Sequence, residues 1–422
     1  MTKVIIYFQL SIVLSIKNRF ACKELSIILY LCTKYNEMKI LFLVYHGFSE
    51  HSGISKKIHY QVKGLKENGY DVRLCYYTIT ASGHRCRIVD DQIIKDYGTG
   101  KWASYCQRMD YDCIYDYCIR EGIEFVYARS FMNATPWLIR LFRKLHKAGI
   151  HAVSEIPTYP YDKEYNRNTY WEMRLTLKID QLFRTRLYKY MDALVTFSDA
   201  KEIFGQRTIN ISNGVDFDSI PLHQPSAISH QPSELHLIGV AEVHFWHAFD
   251  RVMAGIGEYY SHQPSALSRQ LDVYFHVVGG VHPRYMKNCF APILEKYPNI
   301  KDKIIFHGTQ FGQQLDDIFN QCQFAIGSLG RHRSGITVIK TLKNREYATR
   351  GIPFIYSEQD SDFDGQPYII KAPADESPID IQQIIDFMQD FKMAPEDIRK
   401  TVEPLQWKYQ MKKVVDAVFN PQ

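Results

Sequence analysis

The stretch Leu342-Lys-Asn-Arg-Glu-Tyr-Ala-Thr-Arg-Gly-Ile-Pro-Phe-Ile355 sets Lys343, Arg345 and Glu346 inside one helical run. Gly351 and Pro353 account for where the run stops, since glycine closes helices in the left-handed conformation and proline cannot continue them. Capping does not account for the charges. Lys343 and Glu346 lie three residues apart and share a helix face, so a solvated ion pair and a ligand-binding pair both fit the spacing. A second cluster, Glu155-Ile-Pro-Thr-Tyr159-Pro-Tyr-Asp162-Lys-Glu164, follows an apolar run, and Arg129 follows the run before it. Carboxylates and tyrosines in such a loop suit hydroxyl-bearing ligands; a proline-stiffened, solvated loop suits the same residues. His247 can hydrogen-bond a phosphate and carry part of a charge near neutral pH, or sit as a packed surface imidazole. Gly335, ahead of the Glu346 helix, can leave its N-terminal amides free for an anion.

Other chemistries lack their core devices. No G-x-S-x-G, P-loop or H-E-x-x-H is present, and Gly279-Gly280 is not a dinucleotide fingerprint. Asp360-Ser-Asp-Phe-Asp-Gly365 fails as a calcium loop, because Pro367 falls at position eight and Lys371 replaces the bidentate Glu at twelve. It reads as a polar loop, and no metal is expected. The nine cysteines are scattered, without a C-x-x-C pair, as in reduced intracellular thiols.

These groups need elements to hold them. A chain of 422 residues with 45% hydrophobic and 23% charged residues suits two α/β domains, at roughly 150 residues each. The excess of 51 Lys and Arg over 46 Asp and Glu is too small to argue for nucleic acid. From Met38 onward, apolar runs alternate with helical ones, the signature of parallel sheets wrapped by helices. Strands are expected at 39–45, 71–77, 124–128, 151–156 and 193–197, with helices at 55–68, 136–148 and 165–190, making 38–216 one Rossmann-like domain. The Pro-, Ser- and His-rich segment 217–234 is a linker, and its HQPSAI-like repeats read as insertions without chemistry. Residues 235–400 repeat the α/β logic as a second doubly wound domain, and 401–422 form a closing helix directed back toward the first. Residues 1–37 are an extension outside the fold: the apolar run 4–16 is too short to span a bilayer and lacks a small-residue cleavage site. The alternative is a segment touching a membrane peripherally.

Glu346-Tyr-Ala-Thr-Arg-Gly351-Ile-Pro353 resembles the "E-A-x-A-x-G-x-P" run of the retaining GT-B glycosyltransferases, which build bacterial capsular, O-antigen and other polysaccharides. Gly53-Ile-Ser-Lys-Lys57 resembles that family's glycine-rich loop, Asn213-Gly-Val-Asp216 the "N-G-V-D" closing its first domain, and residues 239–251 the segment opening its second. The resemblance runs from Met38 to about residue 420. It implies two Rossmann-like domains facing across a cleft, a nucleotide-sugar donor, a saccharide or lipid-linked acceptor, and no further cofactor, metal or nucleic acid. A cytoplasmic location is expected from the reduced thiols, with peripheral contact to the inner face of the membrane as the alternative that residues 1–37 and the modest basic excess leave open. Glu346 would accept hydrogen bonds from the ribose diol, a role that suits a carboxylate. Gly53, Lys343, His247, Arg251 and Gly335 would serve the donor region, and Glu155, Tyr159 and Arg129 the acceptor side.

The chain departs from the family in two places. The first Glu of the E-x7-E pattern is Val338, and the usual Arg and Lys for the diphosphate have no clear match, with Glu242 or Val243 near the first position and His247 at the second. A nucleotide-sugar epimerase and a catalytically silent GT-B binding protein are the rival readings, the second favoured by Val338.

Overall fold

The computed structural model describes residues 37–48, 53–130, 132–162, 171–224, 233–261 and 271–420. The apolar run 4–16 and most of the repeats lie outside the described residues.

The first domain is built on β1 (Lys39–Leu43), β2 (Asp71–Ile79), β3 (Arg85–Val89), β4 (Gln92–Asp96), β5 (Phe125–Arg129), β6 (His151–Ile156), β7 (Ala193–Thr196), β8 (Glu202–Ile203) and β9 (Gln206–Asn210). Among the described residues these form one sheet in the order β4-β3-β2-β1-β5-β6-β7-β9-β8. The stretch from β2 to β9 is parallel, and antiparallel additions close both edges. The inner strands are nearly continuous apolar runs because helices cover both faces. The β3–β4 hairpin had no place in the expected strand set. Its turn is Asp90-Asp91, with φ of 45° and 67°, a left-handed pair that matches strand twist as Asn-Gly turns do.

Helix α1 (Gly53–Glu67) lies on one face of this sheet, and α2 (Trp171–Tyr188) belongs to the other. The second domain holds β10 (Glu234–Val240), β11 (Asp272–Val278), β12 (Ile304–Gly308), β13 (Phe324–Ile326), β14 (Phe354–Tyr356) and β15 (Ile369–Lys371), all parallel, in the order β12-β11-β10-β13-β14-β15. This order reverses direction between β10 and β13, which opens a crevice at their carboxyl ends. Helices α3 (Phe249–Ser261) and α4 (Leu342–Arg350) flank that crevice.

Two seams join the domains. Residues 217–224 do not hang free: Arg399 donates to the carbonyls of Phe217 and Ile220, and the His223 amide donates to Arg350 O at 2.7 Å. The last helix, α5 (Trp407–Phe419), then crosses to the first domain. Its Trp407, Met411, Val414, Val415 and Val418 form one buried stripe against the β-sheet and α1. Close approach is permitted by Gly64, where a Cβ would sit 2.7 Å from the Trp407 backbone, and by Gly214, where it would sit 2.4 Å from the indole. Gly64→Ala should therefore destabilise the protein by about 1–3 kcal/mol through overpacking against backbone that cannot yield. Urea denaturation checks this, and an unchanged midpoint would show that α5 shifts freely.

Candidate functional site

The carboxyl ends of both parallel sheets face one inter-domain cleft of about 680 Å³. The first domain contributes Gly53, Lys57, Arg129, Pro157, Thr158, Tyr159 and Phe197, from α1 and the ends of β5, β6 and β7. The second contributes Glu242, His244, Trp246 and His247 after β10, and Ser328, Arg331, Val338, Lys343 and Glu346 between β13 and α4.

Glu346 sits where α4 borders the cleft. Thr341 caps the helix by accepting from the Asn344 amide, and Gly351 ends it at φ 78°. Arg350 donates from Nε and Nη2 to Glu346 Oε1 at 3.2 and 3.1 Å, and no described donor reaches Oε2. One oxygen is thus held and the carboxylate is oriented. Lys343, one turn earlier, lies on the same wall. Burial, then the charge of Arg331, lower its ammonium pKa to about 7, against the pull of Glu358 and Glu346. Glu358, 2% exposed, is pushed up to about 7, also chiefly by burial.

Three placements correct the sequence reading. His247 lines the cleft but carries no charge near neutral pH: burial, Lys343, Arg331 and His244 all depress its pKa, and Nδ1 accepts from the His244 amide at 3.0 Å. It is a neutral imidazole whose other nitrogen holds the proton. Arg251 does not reach the cleft. Its guanidinium donates to the carbonyls of Leu329, Ser377 and Pro373 at 2.5, 2.7 and 3.1 Å, fixing the backbone just before Arg331. Gly335 ends a short 3-10 turn, Arg331–Ser334, in the left-handed conformation (φ 69°), and α4 begins seven residues later.

On the opposite wall Tyr159 lines the cleft, while Glu155 lies beneath it, fully buried. Its carboxylate accepts from Lys57 Nζ at 3.1 Å, Gln61 Nε2 at 2.6 Å and the Tyr127 hydroxyl at 2.7 Å, with Arg129 3.6 Å away. Burial by itself would raise its pKa, but Lys57, Arg129 and the two neutral donors outweigh burial and hold it at about 2. Burial lowers the Lys57 ammonium to about 8. Glu155 is therefore a counter-ion that holds two cleft cations, and those cations face the ligand space.

Arg331 and Trp246 escaped the sequence reading. Arg331 stands over the Trp246 ring at 5.4 Å, and the indole stacks on His244 at 4.4 Å. The signal for Arg331 was its position after β13, at the reversal of strand order. A further sign of a ligand site is a set of buried polar atoms without hydrogen-bond partners. Arg129 Nη1, Asn213 Oδ1 and Ser328 Oγ are of this kind, and all three residues line the cleft. Buried polar groups are ordinarily satisfied, so these three atoms, one of them the Arg129 nitrogen 3.6 Å from Glu155, are open to a polar partner in the cleft. No described group of three or more His, Cys, Asp or Glu residues could hold a metal ion. Asp360 and Asp362 are instead taken up by Arg345.

No family model and no curated relative matches the chain. Solved structures do. The catalytic domain of starch synthase IV from Arabidopsis thaliana, bound to ADP and acarbose, superposes with a TM-score of 0.59 at 10% identity, over 90% of this chain and 98% of that one. A structure from E. coli described as trehalose-6-phosphate bound with UDP-2-fluoro glucose gives 0.56 at 8% identity, over 91% and 99%. OtsA in its apo form gives 0.55 at 10% identity, over 92% and 100%. What these share with the chain is the fold, the two-domain GT-B architecture of glycosyltransferases.

Removing the buried counter-ion tests the wall that carries Lys57 and Arg129. Glu155→Gln should cost about 3–5 kcal/mol near neutral pH, since it leaves two buried cations unpaired. The folded pKa of Glu155 lies below its ordinary value of 4.5. Its stabilisation is therefore present above pH 4.5 and is lost as pH falls toward 2. Urea titrations should show the gap between wild type and variant closing over that window; a constant gap would refute the assignment.

Proposed function

We propose that this protein is a glycosyltransferase that moves a sugar from a nucleoside-diphosphate donor to a saccharide or lipid-linked acceptor. The observation that carries this reading is the meeting of Glu346, Lys343 and Arg331 on one wall of a two-domain cleft in which Asn213 Oδ1 and Ser328 Oγ are buried without hydrogen-bond partners. The ADP bound to the Arabidopsis starch synthase domain and the UDP-2-fluoro glucose in the E. coli structure are ligands of the same class on the same fold.

In this scheme Glu346 Oε2 accepts from the ribose hydroxyls while Arg350 fixes the other oxygen. Lys343 and Arg331 neutralise the diphosphate, a task expected, from the sequence, of Gly53, Lys343, His247 and Arg251, and a protein-held metal is not needed for it. The neutral His247 is left as a hydrogen-bond donor, and the Gly53 amide, at the first turn of α1, meets the ligand across the cleft. The acceptor hydroxyl approaches from the side of Arg129 and Tyr159. As it bonds to the anomeric carbon, the bond to the diphosphate oxygen breaks, and the hydroxyl proton passes to the departing phosphate. Fixed cations at that oxygen are worth most in a site that excludes water. Val338 lines the cleft where the resembling family carries a Glu, so the chemistry proceeds without a protein nucleophile at that position, with retention by reaction on one face of the sugar. That same valine favours the second reading, a GT-B protein that binds a donor without turning it over.

Calorimetric titration with UDP, ADP and GDP should show binding of at least one, weakened about tenfold by Glu346→Ala. Binding by none would sink the donor site, and binding with no transfer or hydrolysis of any sugar nucleotide would establish the second reading. Affinity should also fall as pH rises above about 7, because a diphosphate favours the protonated Lys343. In Lys343→Met that part of the pH dependence should vanish, and persistence of the full slope would remove Lys343 from the phosphate role.

A further inference from the structure

Helix α2 is apolar on two opposite sides. Leu177, Leu187 and Tyr188 are buried on one of them. Trp171, Leu175, Ile179 and Leu182 lie on the other at spacings of four, four and three, and they are 65%, 50%, 39% and 68% exposed. That spacing aligns them in one stripe over three turns. A lone exposed leucine is ordinary, whereas a continuous row of four large apolar side chains marks an interaction surface. Arg174, Lys178 and Arg186 are exposed along the same helix, with Lys189 just past its end. Glu172 is the exposed carboxylate of α2; Asp180 is buried.

We propose that this face of α2 docks the protein on an anionic membrane surface. The four apolar side chains would enter the boundary between headgroups and acyl chains, and the Arg and Lys side chains would meet lipid phosphates from the flanks. Charge decides the occupant: a second copy packed symmetrically on the stripe would oppose cation to cation, whereas an anionic lipid surface complements both the stripe and its flanks. The helix is also tied to the cleft. The Tyr161 hydroxyl donates to Asp180 at 2.6 Å, and Arg184 donates to both oxygens of Asp162 at 2.7 and 2.9 Å. Residues 157–159 of the same segment line the cleft, so a membrane under α2 lies beside the acceptor wall. The inference does not rest on the donor-site reading: nucleotide binding can fail while membrane docking holds, and the reverse.

Co-sedimentation of the full chain with phosphatidylcholine vesicles, with and without phosphatidylglycerol, tests it. Wild type should bind the phosphatidylglycerol vesicles, less so at high salt. Leu175→Asp with Leu182→Asp should weaken binding by about tenfold or more, and Arg174→Gln with Lys178→Gln and Arg186→Gln by several-fold. All five positions are exposed, so unchanged thermal melting of the variants shows that the fold is intact. No binding by wild type, equal binding by the leucine variant, or a wild-type dimer that the leucine variant splits would each overturn the proposal.

Discussion

A guanidinium without solvent holds this molecule together at its centre. Arg345, fully buried in α4, donates to both oxygens of Asp360 and to Asp362, and its Nε and Nη2 reach Ser212 Oγ at 3.1 and 3.0 Å. A charge taken out of water is tolerated only when paired and hydrogen-bonded on every side, so the three segments that supply partners cannot drift apart. One is the helix of Glu346, another the loop after β14, and the third the end of the first domain. Ser212 also donates to Asp362 at 2.6 Å, and Asn213 beside it donates to the carbonyl of Lys340 at 2.5 Å. The wall that presents Lys343 and Glu346 is thereby registered against the opposite domain through one residue between them in sequence.

This explains which parts of the molecule were legible in the sequence. Strands with both faces buried announce themselves as apolar runs, and 151–156 and 193–197 match β6 and β7 to within a residue. The α4 terminus was equally plain, because Gly351 and Pro353 act locally. Edge elements were not. β4 exposes most of its side chains, so neither period stands out, and β15 is three residues long. Residues 165–170 of the expected 165–190 helix lie outside the described residues.

Side-chain roles were harder still, for a different reason. Arg345 and Arg251 carry the same charge in comparable helices, yet both point inward to partners from remote segments, and no spacing rule gives those partners. The acidic pair Asp360 and Asp362 looked like a loop feature because its cation is fifteen or more residues earlier. Glu155 was found but assigned to the ligand, when its three close donors all come from its own domain. A charged residue near a strand end need not face the cleft: Glu155 instead holds Lys57 and Arg129, which do.

The cleft is consequently lined by cations whose counter-charges lie behind them. Lys57 and Arg129 lean on Glu155, and Lys343 and Arg331 stand near Glu358, itself without a partner for Oε1. Buried pairs of this kind add little to stability over a well-packed apolar core of the same shape. Their arrangement makes sense as preorganisation. Burial pushes both Lys343 and Glu358 toward their neutral forms, lowering the Lys343 ammonium to about 7 and raising the Glu358 carboxyl to about 7. Holding Lys343 close to neutrality relieves its repulsion with Arg331, whose charge is itself one cause of that lowering, and so lets two cationic side chains share one wall of the cleft.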